Sequence, residues 1–220
     1  MRILITAGPT REPIDPVRYL TNRSSGRMGY ALAEAALARG HEVVLISGPV
    51  WLTAPEGACL RRVETAREMF DAVQTEIGSC EIAIFAAAVA DYRPVSPALT
   101  KLKKTAERLH LELERTEDIL GSARSVFGFR GRLIGFAAET ECLIEHAREK
   151  LVRKGCDLVI ANDVSQPGIG FDSAENAVTL VLPAGSVQGL PTQSKTGLAA
   201  ALMDFILALP PTPSIDPISS

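Results

Sequence analysis

Five short runs rich in branched aliphatic side chains punctuate the first three quarters of the chain: "RILIT" (2–6), "EVVLI" (42–46), "EIAIFAAA" (81–88), "RLIGFAA" (132–138) and "DLVIA" (157–161). They are continuously apolar rather than alternating, as strands buried on both faces of a parallel sheet are. Between them lie the helical patterns "GYALAEAALARG", "AREMFDAVQTEI", "DILGSARSVF" and "ECLIEHAREKLVRKG", with Gly40 and Gly155 as stops. Such alternation requires right-handed crossovers. It predicts an α/β fold, a Rossmann-like doubly wound and mostly parallel sheet with helices on both faces. Further along, "NAVTLVLPAGSVQGLP" reads as two strands around the turn "PAGS", an antiparallel hairpin at the sheet edge. Ser194 is placed to cap a last helix, "KTGLAAALMDFILAL". One domain over residues 1–209 is expected. The tail from residue 210 to 220, "PPTPSIDPISS", has four prolines and little to bury, so it is expected to be disordered.

Composition narrows the partners. A net charge of −3 with 22% charged residues gives no general attraction to nucleic acid, so any anion affinity must be local. Cys59, Cys80, Cys142 and Cys156 show no metal-ligand or redox spacing and read as buried structural thiols of a reduced, cytoplasmic protein. The apolar run in "MRILITAG" is too short for a signal peptide or a membrane span.

In an open α/β sheet the ligand sits beyond the carboxyl ends of the strands. After the first run, Gly8 opens a long Pro-rich excursion before "SSGRMG" starts a helix, and the second run ends in "LISGP" without an acidic residue. Both supports of a nicotinamide site, a glycine fingerprint and a ribose-binding acid, are therefore missing. Asn22, Arg23, Ser24, Ser25 and Gly26 are left at a helix N-terminus, which is either an ordinary capped start or an anion site. Asp91 ends "AAAVAD", as a turn cap or a ribose or metal–phosphate ligand. Phe136, in "GFAAET", is either an interior residue or a platform for a base. Asn162 and Asp163 end the fifth run, and Lys150 and Lys154 share a helix face. "PVSPALTKLKKTAER" (94–108) concentrates Lys101, Lys103 and Lys104. It is either a solvated turn or a basic flap. His41, His110 and His146 fall on strand or helix edges, which disfavours a hydrolytic triad and favours phosphate-centred chemistry.

Taken in order, "ITAGPTREPIDPVRYLTNRSSGRMG", "AAAVADYRP", "KLKK", "GFAAET" and "LVIANDVSQPGIGF" resemble bacterial phosphopantothenoylcysteine synthetase, the phosphopantothenate–cysteine ligase of coenzyme A biosynthesis, over roughly residues 2 to 207. In most bacteria this ligase follows a flavin-dependent decarboxylase. The chain is accordingly expected to be either free-standing or cut from such a fusion. The resemblance implies that 4′-phosphopantothenate attacks CTP, with Mg²⁺, to give an acyl-cytidylate and pyrophosphate. L-Cysteine then displaces CMP. It implies catalytic roles for Asn22 and Lys101, with Arg18 supporting the Asn22 loop. It implies nucleotide contacts from Phe85, Ala86, Ala87, Asp91, Phe136, Lys150 and Lys154, and from Glu117, Asp118, Ile119 and Leu120. Ser24, Ser25 and Gly26 complete the set, and no protein metal ligand is assigned. Glu117 stands where the family usually has proline, which puts the rigidity of that turn in doubt. Family members are homodimers, so a homodimer is expected here. The alternatives are an NAD(P)-binding oxidoreductase, on fold alone, and a catalytically silent regulatory homologue.

Overall fold

A computed structural model describes residues 1–104, 107–163 and 175–210. All of the expected tail at 210–220 except Pro210, and residues 164–171 of the motif "LVIANDVSQPGIGF", lie outside the described residues. The chain begins with β1 (Arg2–Ala7), the short hairpin β2 (Arg11–Pro13) and β3 (Tyr19–Thr21), and helix α1 (Arg27–Leu37). Next come β4 (Glu42–Ser47), β5 (Cys59–Arg62), α2 (Ala66–Glu76), β6 (Ile82–Phe85) and a second hairpin, β7 (Tyr92–Pro94) with β8 (Leu113–Arg115). It continues with α3 (Ile119–Ser125), β9 (Arg132–Glu139), α4 (Leu143–Lys154) and β10 (Leu158–Asp163). It closes with β11 (Glu175–Val181), β12 (Val187–Ser194) and α5 (Lys195–Ala208).

The eight-stranded sheet runs β12-β11-β10-β9-β6-β1-β4-β5. Its six strands from β10 to β5 are parallel, and β11 and β12 add antiparallel at the edge. This is the doubly wound arrangement expected from the sequence, and its switch point lies between β1 and β6. The apolar runs are apolar because both faces are covered. Ile3, Ile5, Ile82, Ile84, Leu158 and Ile160 pack under α1 and α5, while Leu4, Val44, Ala83, Leu133 and Val159 pack under α2, α3 and α4. Truncating one of the fully buried central residues, Ile5 or Leu133, to alanine removes about 2–5 kcal/mol.

Several helix ends behave as the sequence predicts. Gly155 closes α4 in the left-handed conformation, and Ser194 caps α5 by accepting from the Gly197 N–H. The α2 start is doubly served. Thr65 accepts from the Glu68 N–H, and the buried Glu12 Oε1 accepts from the Ala66 N–H at 2.8 Å. Other expectations are corrected. Cys80 and Cys156 are buried, but Cys59 and Cys142 are exposed. His110 lies in the irregular stretch before β8 rather than on an element edge, and His146 sits within α4 beside Glu139 at 3.0 Å. Among the described residues no helix is long and apolar enough to cross a membrane.

Candidate functional site

The Pro-rich excursion after β1 is the β2–β3 hairpin. Its turn is tied by Asp15, whose Oδ1 accepts from the Val17 and Arg18 N–H groups at 2.8 and 2.9 Å. The hairpin brings the chain back beside the end of β1, where the Thr21 hydroxyl donates to the Thr10 carbonyl at 2.6 Å. Asn22 follows directly. Its amide donates to the Val89 carbonyl at 2.9 Å and more weakly to Ala88 at 3.4 Å, so the loop is anchored to the backbone beyond β6.

Gly26 then begins α1 with φ +73°, and among the described residues no side chain caps the helix. A Cβ at Gly26 would lie 2.8 Å from Val50 Cγ1, so the position is closed to other residues by both space and conformation. The sequence left open a capped start or an anion site, and the structure has the uncapped form. The first-turn N–H groups, which no helical carbonyl can reach, face the cleft with the positive end of the helix dipole.

Opposite them, the backbone beyond β6 is held rigid by threonines that the sequence pattern did not single out. Thr6 Oγ1 accepts from the Ala87 N–H at 3.2 Å, and Thr10 Oγ1 accepts from the Ala90 N–H at 3.0 Å. The Thr116 hydroxyl donates to the Ala90 carbonyl at 2.6 Å. All three pins are side chain to backbone, so they fix a strip of small residues without filling the space above it.

The third wall comes from α3, α4 and the ends of β9 and β10. Asp118 caps α3 through the Gly121 N–H at 2.9 Å and also accepts from Lys154. Partial burial raises its pKa, but the Lys154 ammonium and the Gly121 N–H outweigh that and leave it below the usual carboxylate range. Lys150 is not on a solvated face. It is largely enclosed, burial lowers its pKa, and its Nζ donates to the Phe136 carbonyl at 2.6 Å. Glu117 replaces ring stiffness with an ion pair: Arg93 reaches both its oxygens at 3.0 Å, and Arg67 lies at 3.4 Å. Its carboxylate is thereby committed to Arg93, and only its backbone is left for a ligand. Among the described residues, Asn162 Oδ1, buried at the end of β10, has no hydrogen-bond partner, and it too lines the cleft. A buried acceptor without a donor is costly unless a ligand supplies one.

Together these elements enclose one open cleft of about 860 Å³ at the carboxyl ends of β1, β6, β9 and β10. It gathers Asn22, Ser24, Ser25, Gly26, Phe85, Ala86, Ala87 and Asp91, together with Glu117, Asp118, Ile119, Leu120, Phe136, Lys150 and Lys154. Two anticipated residues do not line it. Lys101 is exposed on the connection between β7 and β8, and Arg18 sits at the base of that connection. Arg18 holds the lysine segment through its guanidinium and, through its backbone, the β2–β3 turn that leads on to Asn22. Its guanidinium, ahead of the opposing effect of burial, holds the Asp15 carboxyl well below the usual range. Arg23, which the sequence already placed at the α1 start, also reaches the cleft; Arg27, Arg115, Arg153 and Lys195 do so too and were not foreseen, because lone basic residues carry no sequence signal of where they converge. Cys156, pushed up to about 12 by burial, is inert at neutral pH.

Comparison with known proteins agrees over nearly the whole chain. The family described as "DNA/pantothenate metabolism flavoprotein C-terminal domain" matches residues 1–209. The coenzyme A biosynthesis bifunctional protein CoaBC of Vibrio vulnificus (strain YJ016) is 48% identical over 209 residues, covering 94% of this chain and 52% of that protein. The chain thus spans about half the length of the curated relatives it matches. The crystal structure of the C-terminal domain of a CoaBC protein superposes with a TM-score of 0.77 at 42% identity, covering 93% of each chain. The DNA/pantothenate metabolism flavoprotein of Streptococcus pneumoniae gives a TM-score of 0.82 at 28% identity, covering 94% of this chain and 99% of that one.

Proposed function

Because the chain belongs to the DNA/pantothenate metabolism flavoprotein C-terminal domain family, we propose that it joins 4′-phosphopantothenate to L-cysteine, with CTP as the activating nucleotide. The pantothenate carboxylate attacks the α-phosphorus and pyrophosphate leaves. The cysteine amine then attacks the acyl carbon and CMP leaves. A carboxylate oxygen is too poor a leaving group for direct displacement by an amine, and the first step removes that obstacle.

The observation that carries this reading is the uncapped α1 N-terminus, which looks across about 860 Å³ at a pinned strip of alanines and at the cations of α4. That volume suits a nucleotide together with an acyl chain. A helix terminus alone is worth about 0.3–1 kcal/mol to a single exposed charge. A triphosphate therefore needs the flanking cations as well, and Arg23, Arg27, Arg153 and Lys195 are placed to add them. The small side chains of Ala86, Ala87 and Ala88 let a sugar–phosphate approach the backbone closely, and Phe136 offers a flat wall for a base. Asn162 Oδ1 supplies an acceptor for a ligand N–H or O–H. Among the described residues no three carboxylate, imidazole or thiol groups converge, so the donor set does not form a protein cage for Mg²⁺. The ion would be carried by the triphosphate itself. A nicotinamide reading finds no support here. β4 ends in buried Ser47, whose hydroxyl is bonded to Tyr30 at 3.0 Å, where a ribose-binding acid would be needed.

The test is pyrophosphate release with Mg²⁺, CTP and 4′-phosphopantothenate, with and without cysteine, and with ATP in parallel. The expected result is multiple turnovers only with cysteine, and with CTP preferred. No pyrophosphate from folded protein in any arm would leave the silent regulatory homologue.

We propose a cytoplasmic homodimer formed through the β7–β8 ribbon. Val95, Leu99, Leu109, Leu111 and Leu113 on and beyond this ribbon are exposed, Leu99 at 94%. So many exposed apolar side chains on one ribbon suit a partner surface. Sedimentation at tens of micromolar should give twice the chain mass, and Leu111→Glu with Leu113→Glu should give the monomer. A monomeric parent protein would remove this part of the proposal.

A further inference from the structure

The lysine segment is sewn to the β2–β3 turn. Asp15 is fully buried in its side chain, and its two oxygens are used differently. Oδ1 accepts the Val17 and Arg18 N–H groups and makes the turn. Oδ2 accepts from Arg18 Nε at 3.0 Å, from the second Arg18 nitrogen at 2.5 Å, and from the Leu102 N–H at 3.0 Å. Arg18 then donates to the Leu102 carbonyl at 2.9 Å. Both backbone groups of Leu102, the residue between Lys101 and Lys103, are therefore held by one ion pair. A further tie runs from the Ala98 N–H to the Ile14 carbonyl at 2.9 Å.

The same turn continues through β3 into Asn22. On the ligase reading, which this inference deepens, one side-chain pair sets the position of both the Asn22 loop and the base of the lysine flap. We infer that Asp15 is a positioning residue for Lys101: through Oδ2 it fixes where the flap leaves the body of the domain and so where the Lys101 ammonium can travel. A solvated turn would need no buried carboxylate at its base. A displacement of about 1 Å in a positioned group can cost a hundredfold in rate, so a fixed hinge matters.

Asp15→Asn separates the two oxygens' duties. Asparagine keeps an acceptor for the turn but presents an N–H₂ to the Arg18 and Leu102 donors, so the flap side is severed selectively. Two readouts on the full chain test this. Trypsin cleavage after Lys101, Lys103 and Lys104, mapped by mass spectrometry, should accelerate at least about fivefold, with the thermal unfolding midpoint lowered by only a few degrees. Turnover should fall about tenfold to a hundredfold, while KM for cysteine changes little. If Asp15→Asn does not fold, Arg18→Gln removes the guanidinium that bridges Asp15 Oδ2 and the Leu102 carbonyl and should give the same two changes. Wild-type cleavage in the folded variant overturns the inference, as does faster cleavage with unimpaired turnover. The cleavage arm requires no catalysis, so failure of the ligase reading would appear in the parent protein and failure of the clamp only in the variant.

Discussion

Lys101→Gln should lower turnover by about a hundredfold to a thousandfold and leave the fold unchanged. Lys101 is exposed, so its side chain contributes nothing to the core, and surface substitutions of this kind stay within about 0.5 kcal/mol. Its expected effect is confined to the reaction. A carboxylate brought up to a triphosphate concentrates negative charge, and a single preorganised donor at such a centre is worth about 2.7–4 kcal/mol, the stated rate factor. The ribbon carrying Lys101 lines the cleft at Tyr92 and Arg115, so the flap springs from the mouth of the site although the lysine itself stands outside it. Closing over bound nucleotide would bring the ammonium in and exclude water from a hydrolysable acyl-cytidylate. Single-turnover pyrophosphate release and steady-state turnover, measured beside thermal unfolding, check this. A normal single-turnover rate would remove Lys101 from the reaction. A large fall in the unfolding midpoint would mean that the residue acts through the fold instead.

How much of this was legible in the sequence depends on which kind of interaction made each feature. β1, β4, β6, β9 and β10 stand out because burial on both faces forces a run of branched aliphatics. β5, "CLRR", is the edge strand beyond β4, mostly exposed, and carries no such run. The β2–β3 and β7–β8 hairpins have three-residue strands, too short for alternation to register. They exist because Asp15 ties one turn and because the Arg93–Glu114 pair, at 2.8 Å, bridges the other. The first is a local turn bond to the residues two and three further along the chain, whereas the second joins residues 21 apart and does not follow from spacing.

The site behaves in the same way. That Lys150 and Lys154 share a face is local helical geometry and was readable. That one is sunk against the Phe136 carbonyl and the other committed to Asp118 joins elements far apart in sequence. Glu117 looked like a loss of stiffness only because its partner, Arg93, stands 24 residues earlier in the chain, on β7. Thr6, Thr10 and Thr116 were silent for a related reason: a hydroxyl that pins a backbone N–H or carbonyl leaves no periodic trace.

Asn22→Asp should separate the two half-reactions. In the native loop the Asn22 amide is a donor to two carbonyls, Val89 at 2.9 Å and Ala88 at 3.4 Å. An aspartate has no N–H to give and sets a carboxylate against those oxygens, so the loop loses its anchor and gains a charge at once. Losing an exposed bond of this kind costs about 0.5–1.5 kcal/mol, and the new charge would repel the phosphate of an acyl-cytidylate bound in the cleft. On the proposed reaction the first step would depend chiefly on the α1 terminus and the surrounding cations, which the substitution leaves in place. The second needs the intermediate held for the amine, which the displaced, charged loop no longer does. The expected result is a pyrophosphate burst of up to one per site, followed by turnover slowed about a hundredfold. Acid quenching during the burst should recover acyl-cytidylate. Loss of the burst itself would place Asn22 in the first step, and normal turnover would mean that its hold on residues 88 and 89 is architectural and nothing more.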